Sequence, residues 1–223
     1  MSKSPLRVAS VLALLAIASL APAHAAEVTV IHGIPGADGL PVDVGFGGDC
    51  VLTNVTFGAI GGPLTVPAGL YGAQVSLADA GDPCGGELVL QVPSSISLDE
   101  SATIVANLTD SGTFTATQFP NDLRDTGADS RLAVRHTADA PAVDIYVSTD
   151  GGTPSLLFAD IANGEQAQGI VGAATYKVGI VAAGTQDLAF GPVDLTLESG
   201  TSYFVYAVGS LGDGTFDLII DAR

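Results

Sequence analysis

The chain has 223 residues, with seven Lys and Arg against 24 Asp and Glu, a net charge of −17 and 47% apolar residues. So acidic a balance repels nucleic acid and anionic lipid and argues against partners of either kind. With 28 glycines, 12 prolines and no tryptophan, the composition suits short strands and tight turns around a core of Val, Ile, Leu, Phe and Tyr.

Residues 1–25 read as a signal peptide. Lys3 and Arg7 make a positive start, Val8 to Ala21 an apolar run, and Ala23-His24-Ala25 a small-x-small cleavage site. The apolar run is short for a membrane span, and nothing after it is long enough, so no membrane insertion is expected once the leader is removed. The expected address is secreted, periplasmic or cell surface. Loss of Lys3 and Arg7 leaves 24 acids against five bases.

From there the signals are β. VTVIH (28–32), VDVGF (42–46), LTVPAGLYGAQVSL (64–77), ELVLQV (87–92) and ATIVANL (102–108) alternate or run apolar between Gly, Pro and Asp turns. Cys50 and Cys84 are the only cysteines, and an even count in an exported chain reads as one disulfide. The segment FPNDLRDTGADSRL (119–132) is polar and short of strand formers, and reads as a linker. LAVRH (132–136), VDIYV (143–147), TYKVGIVA (175–182), PVDLTLESG (192–200), SYFVYAVG (202–209) and TFDLIID (215–221) then repeat the succession. No amphipathic helix of three turns is visible.

The second succession is a copy of the first. His32 superposes on His136, Val42-Asp43-Val44 on Val143-Asp144-Ile145, Tyr71 on Tyr176, and Gly112-Thr113-Phe114 on Gly214-Thr215-Phe216, at offsets that stay between 101 and 105. Repetition at a domain-sized period means tandem domains. The expected division is a first β-sandwich over 26–119, a linker over 120–130 and a second β-sandwich over 131–223. Each is expected to be an antiparallel, immunoglobulin-like sandwich or barrel of about seven strands.

Arg135 through Val147, Leu195 through Gly209, and Thr53-Asn54-Val55 through Tyr71 carry a further signal. This module, an Ala-Pro-Ala-Val-Asp-Ile-Tyr-Val strand, a Val-Pro-Ala-Gly-x-Tyr turn and a closing Tyr-x-Val-x-Ala-Val-Gly strand, resembles the family catalogued as domain of unknown function 4397. The resemblance covers the mature chain as two tandem copies. It implies an exported or periplasmic β-sandwich and no established activity. The first copy departs from the pattern at Gly36-Ala37-Asp38-Gly39-Leu40-Pro41, where the turn is longer.

Several residues invite chemistry. His32 and His136 could be general bases oriented by Asp43 and Asp144, but no nucleophile or metal partner recurs in register with them. The structural alternative makes each histidine a strand-end fastener bonded to a loop carbonyl or to the aspartate. Tyr71 and Tyr176 read as core anchors whose hydroxyls reach a backbone partner, with ligand stacking as the alternative. Asp125-Thr126-Gly127-Ala128 matches an aspartic-protease signature, but Asp110, its candidate mate, lies on a non-equivalent segment. Asp79, Asp82, Asp122, Asp125, Asp129, Asp139, Asp150 and Asp213 fall in loops that could serve calcium, although none has the ordered loop spacing of a dedicated site. Asn54 and Asn107 open Asn-x-Thr acceptors for glycosylation.

The function expected from these readings is non-enzymatic: an exported structural, adhesive or binding module with a protein or glycan partner and no required cofactor. The alternative is a calcium-assisted carbohydrate or small-ligand binder using the groove between the two domains.

Overall fold

A computed structural model describes residues 25–36, 40–98, 101–149 and 152–223, and every regular element among them is a β-strand. Of the segment 1–25 expected to be a signal peptide, residues 1–24 lie outside the described residues. The first half contains β1 (Ala25–His32), β2 (Val42–Phe46), β3 (Asp49–Val55), β4 (Ile60–Pro67), β5 (Gly69–Leu77), β6 (Leu88–Leu98), β7 (Ser101–Leu108) and β8 (Phe114–Pro120). The second contains β9 (Asp129–His136), β10 (Val143–Ser148), β11 (Ser155–Ile161), β12 (Gln166–Gly172), β13 (Ala174–Ala182), β14 (Leu188–Leu197), β15 (Ser202–Val208) and β16 (Asp217–Ala222).

These strands form four sheets, and the two halves repeat one topology. Orders β4-β1-β7-β8 and β3-β2-β5-β6 in the first half become β12-β9-β15-β16 and β11-β10-β13-β14 in the second. The chain is therefore a tandem pair of β-sandwiches, each with eight strands where about seven were expected. LTVPAGLYGAQVSL divides at Ala68 into β4 and β5, and DCVLTNV, FTATQFP, SLLFADI and QAQGIVG are strands beyond those expected. Pairing is antiparallel except for β1 with β7 and β9 with β15, which run parallel.

Burial explains the layering. In β1, Ala26, Val28 and Val30 join Val42, Val44 and Phe46 of β2 and Val75 of β5 in a core between the two sheets of the first half. Leu132, Val134, Ile145, Ile180, Tyr203 and Val205 do the same in the second. Each such aliphatic or aromatic side chain contributes about 1.5–3 kcal/mol by leaving water. The intervening residues of the same strands are buried too. Ile31, Val105 and Phe119 meet Ala133, Phe204, Tyr206, Val208 and Ile219 in a third core that belongs to both halves. The sheets containing β1 and β9 thus pack face to face, and the molecule is four sheets deep. That is why β7 and β15 are buried along almost their whole length, while β12 alternates.

This central layer also fills the inter-domain groove that the alternative reading needed. Arg135 of β9, fully buried, lies at its centre, where its guanidinium stacks over Phe204 at 4.6 Å, Phe119 at 5.0 Å and Tyr206 at 5.2 Å. It donates to Gln166 Oε1 (3.1 Å), Asn121 Oδ1 (2.9 Å), the Tyr206 hydroxyl (2.5 Å) and the Pro120 carbonyl (2.6 Å). The Tyr206 hydroxyl donates in turn to Thr103 of β7 at 2.9 Å, and Thr103 to Asn121 at 3.1 Å. Burial pulls the guanidinium below its ordinary value and Tyr206 opposes that pull, yet an arginine keeps its charge. Three aromatic faces and four neutral acceptors hold that charge in place of a carboxylate.

The segment expected as a linker, 120–130, overlaps the strands at both of its ends. Pro120 still belongs to β8 and Asp129 already to β9, and the connection at 121–128 is tied down. Asn121 is buried, and Asp122 makes ion pairs with Arg124 at 2.6 Å and Arg131 at 3.2 Å. Further links between the halves are Gly209 N–H to the Gly33 carbonyl (3.2 Å), Asn163 to the Leu108 carbonyl (2.9 Å), and Arg223 to the Thr29 hydroxyl. Gly33 is required here, since a Cβ would sit 3.0 Å from Val208 Cγ1 and 3.1 Å from the Ala106 carbonyl oxygen.

Candidate functional site

The two histidines have the same surroundings. His32 Nε2 donates to the Leu40 carbonyl at 3.2 Å and Nδ1 accepts the Ile34 amide at 3.4 Å. His136 Nε2 donates to the Pro141 carbonyl at 2.9 Å and Nδ1 accepts the Ala138 amide at 3.4 Å. A ring that donates through Nε2 and accepts through Nδ1 is neutral. Each histidine closes the inner strand that it ends and fixes the loop leading to the next strand. The longer turn of the first copy still delivers the equivalent carbonyl, although residues 37–39 are outside the described set.

Asp43 and Asp144 do not orient these rings. Each lies opposite a β-bulge, where two residues of the neighbouring strand face one: Thr53 and Asn54 face Asp43, and Ala159 and Asp160 face Asp144. Asn54 and Asp160 take up left-handed backbone with φ of 56° and 54°. Asp43 Oδ1 accepts the Asn54 amide at 2.8 Å, and Oδ2 accepts the Cys84 amide at 2.9 Å and the Asp79 amide at 3.5 Å. Asp144 accepts the Asp160 amide at 2.8 Å and the Gly184 amide at 3.1 Å. Each carboxylate therefore pins a bulge and the following hairpin loop to the outer sheet. At Asp43 burial pushes the carboxyl up, but the amides of Cys84, Asn54 and Asp79 pull it further down, leaving it below the usual carboxylate range.

A pH dependence follows from the rings. Burial lowers both histidines below their ordinary value, against the smaller opposing effect of their carbonyl partners. The folded state then binds fewer protons than the unfolded state once the pH falls below about 6.5, so stability is full above that value and declines beneath it. Each ring steepens the decline by at most about 1.4 kcal/mol per pH unit. Urea unfolding at pH 7 and pH 5 is expected to show a clear loss, roughly halved in slope by His136→Gln; equal stability at both values would contradict the neutral, buried rings. Asp43 adds its own loss only below about pH 4, where the unfolded carboxyl takes up its proton.

Tyr71 and Tyr176 sit where the chain crosses from inner to outer sheet. Their hydroxyls donate four residues back, to the Pro67 carbonyl at 2.5 Å and the Gly172 carbonyl at 2.9 Å, and their rings pack against the two sandwich cores. Cys50 and Cys84 form the disulfide, tying β3 to the β5–β6 loop with Cα atoms 5.7 Å apart.

The remaining sequence candidates disperse. Asp125 accepts the Gly127 amide at 2.8 Å, while Asp110 lies in the β7–β8 turn at the other end of β8, roughly 20 Å away by strand rise. No two-carboxylate cleft forms from them. Among the loop aspartates, Asp79 accepts the Gly81 amide at 2.8 Å, Asp122 the Arg124 amide at 3.1 Å, and Asp139 the Ser210 hydroxyl at 3.1 Å. Among the described residues no group of three or more His, Cys, Asp or Glu side chains is placed to hold a metal; Asp150 is outside them. Asn107 is buried and bonds the Leu108 carbonyl at 2.9 Å, which closes it to glycosylation in the folded chain, whereas Asn54 is exposed.

Sequence reasoning missed a cavity of about 570 Å³ on the outer sheet of the second half, whose walls include Tyr146, Ser148, Lys177, Gly179, Thr185 and Gln186. Spacing alone does not announce it, because it arises from which side chains share one sheet face.

The family model described as "Domain of unknown function (DUF4397)" matches residues 26–146, from β1 into β10. No curated protein matches the chain. Among solved structures, "The Bacillus anthracis TIE protein" is similar with 11% identity and a TM-score of 0.29, over 83% of this chain and 34% of that one. The chain thus spans about a third of that protein's length. Among the described residues no helix is long and apolar enough to cross a membrane.

Proposed function

We propose a non-enzymatic role for this chain, which belongs to the family described as "Domain of unknown function (DUF4397)": an exported structural, adhesive or binding module of the cell envelope or extracellular space. In this reading the second half is a second copy of the same domain, as its identical strand order supports. The partner is a protein or a glycan.

One observation carries the reading. The residues that most invite catalysis, His32 with Asp43 and His136 with Asp144, spend their hydrogen-bonding capacity on backbone groups in the same way twice. A general base needs a free lone pair aimed at a substrate proton, and here the Nδ1 lone pair of each ring faces an amide of its own loop. Among the described residues, no buried polar side-chain atom lacks a partner. The disulfide and the acidic surface suit an oxidising extracytoplasmic setting.

The test is turnover. The mature chain is incubated with peptide, ester and glycoside substrates, and no rate above the protein-free blank is expected. A rate that disappears in His136→Gln or Asp125→Asn overturns the proposal.

A further inference from the structure

We propose that the outer-sheet cavity of the second half binds an uncharged oligosaccharide; the proposal rests on the non-enzymatic binding reading and gives it a site. Cross-strand register builds the cavity. Tyr146 lies opposite Gly179 and Ser148 opposite Lys177, while Lys177 faces Asp194 on the third strand. These side chains share one face of the sheet, and Gly179 leaves its floor bare between Tyr146, Lys177 and Leu188. The loop residues Thr185 and Gln186 close one side. At about 570 Å³ the space lies within the range of ligand sites.

The lining selects the ligand. The backbones of Tyr146 and Ser148 pair within the sheet, while the phenol of Tyr146, the hydroxyl of Ser148 and the amide of Gln186 line the cavity, ready to exchange water for a ligand's hydroxyls. A partly exposed tyrosine ring offers an apolar face to the C–H side of a sugar. Lys177 is already matched by Asp194 at 2.8 Å, and the chain carries a net −17, which disfavours phosphorylated or acidic ligands.

The first half shows that the cavity is not a by-product of the fold. There Gly45 stands in the place of Tyr146 and Gln74 in that of Gly179. The β5–β6 loop, held by the disulfide, brings Cys84 Sγ to within 3.9 Å of where a Gly45 Cβ would lie. The equivalent loop in the second half is short and leaves the face open.

Gly179 supplies a clean test. A Cβ there would meet only Leu188 Cδ1, at the ordinary contact distance of 3.4 Å, and its φ is not left-handed. Gly179→Leu therefore fills the floor without straining the strand. The mature chain is titrated by calorimetry with maltotetraose, cellotetraose, laminaritetraose and xylotetraose, with a proline decamer as contrast, and the sugars are recovered afterwards for product analysis. The expected result is binding of at least one sugar, intact on recovery, weakened by at least about tenfold in both Gly179→Leu and Tyr146→Ala, while the melting temperature of Gly179→Leu stays at the wild-type value. Binding of none of the four sugars, binding unchanged in Gly179→Leu, or binding of the decamer alone overturns the site. Cleaved sugar on recovery sinks the non-enzymatic reading instead.

Discussion

Replacing Arg135 by alanine is expected to lower the free energy of unfolding by about 3–5 kcal/mol, and to divide a single unfolding transition into two. The substitution removes a fully buried side chain from between Phe119, Phe204 and Tyr206, and the cavity left behind loses the packing of three rings. It also takes a donor from the buried Tyr206 hydroxyl and one of two donors from the Asn121 side chain, which keeps Thr103, and an unmet buried acceptor costs about 1–3 kcal/mol. Asn121 and Thr103 come from the first half or its exit and Tyr206 from the second, so the damage falls on the layer that joins them. Arg135→Met refills most of the volume and brings no charge to desolvate; its loss is expected to be smaller. Equal losses in both variants would show that the stacked charge, rather than the filled space, holds the layer.

The second large effect belongs to the disulfide. Cys50 and Cys84 are 34 residues apart, and cross-linking a loop of that length restricts the unfolded chain by roughly 3–4 kcal/mol in the chain-entropy account. Cys50→Ala with Cys84→Ala is expected to cost about that much. Cys84 also presents its amide to Asp43 at 2.9 Å, so freeing the loop weakens the staple that holds the bulge at Asn54. Amide exchange should rise at Asn54, Asp79 and Cys84 and stay unchanged at the matching Asp160 and Gly184, whose carboxylate partner Asp144 has no cysteine beside it. A loss under about 1 kcal/mol would mean that the unfolded chain gains little freedom when the bridge is cut.

Much of this architecture is legible in the sequence because it is local. Val, Ile and Thr runs broken by Gly and Asp mark the strands, and superposing His32 on His136 and Asp43 on Asp144 reveals the duplication. The strands that the sequence pattern does not mark, β3, β8, β11 and β12, lie at sheet edges, where one exposed flank relaxes the apolar pattern. The four-sheet layering left a weaker trace. VTVIH, ATIVANL and SYFVYAVG run apolar without alternating, as strands buried on both faces do, but whether a second sheet or another domain covers them is set by long-range packing. Arg135 is the hardest case, since an arginine in a strand reads as exposed until three aromatic rings and a tyrosine hydroxyl from distant positions close around it. The carbonyl partners of His32 and His136 lie within their own loops, whereas the bulge amides that Asp43 and Asp144 accept leave no local trace, because a bulge appears only when two strands are paired.

The claim on which the rest depends is that the two sandwiches form one body through the central layer. Scanning calorimetry of the intact, oxidised chain from residue 26 onward tests it most directly. The account predicts one transition whose calorimetric and van't Hoff enthalpies agree. Two resolved transitions in the unaltered protein, or a van't Hoff enthalpy near half the calorimetric value, would contradict it and return the molecule to two domains on a tether.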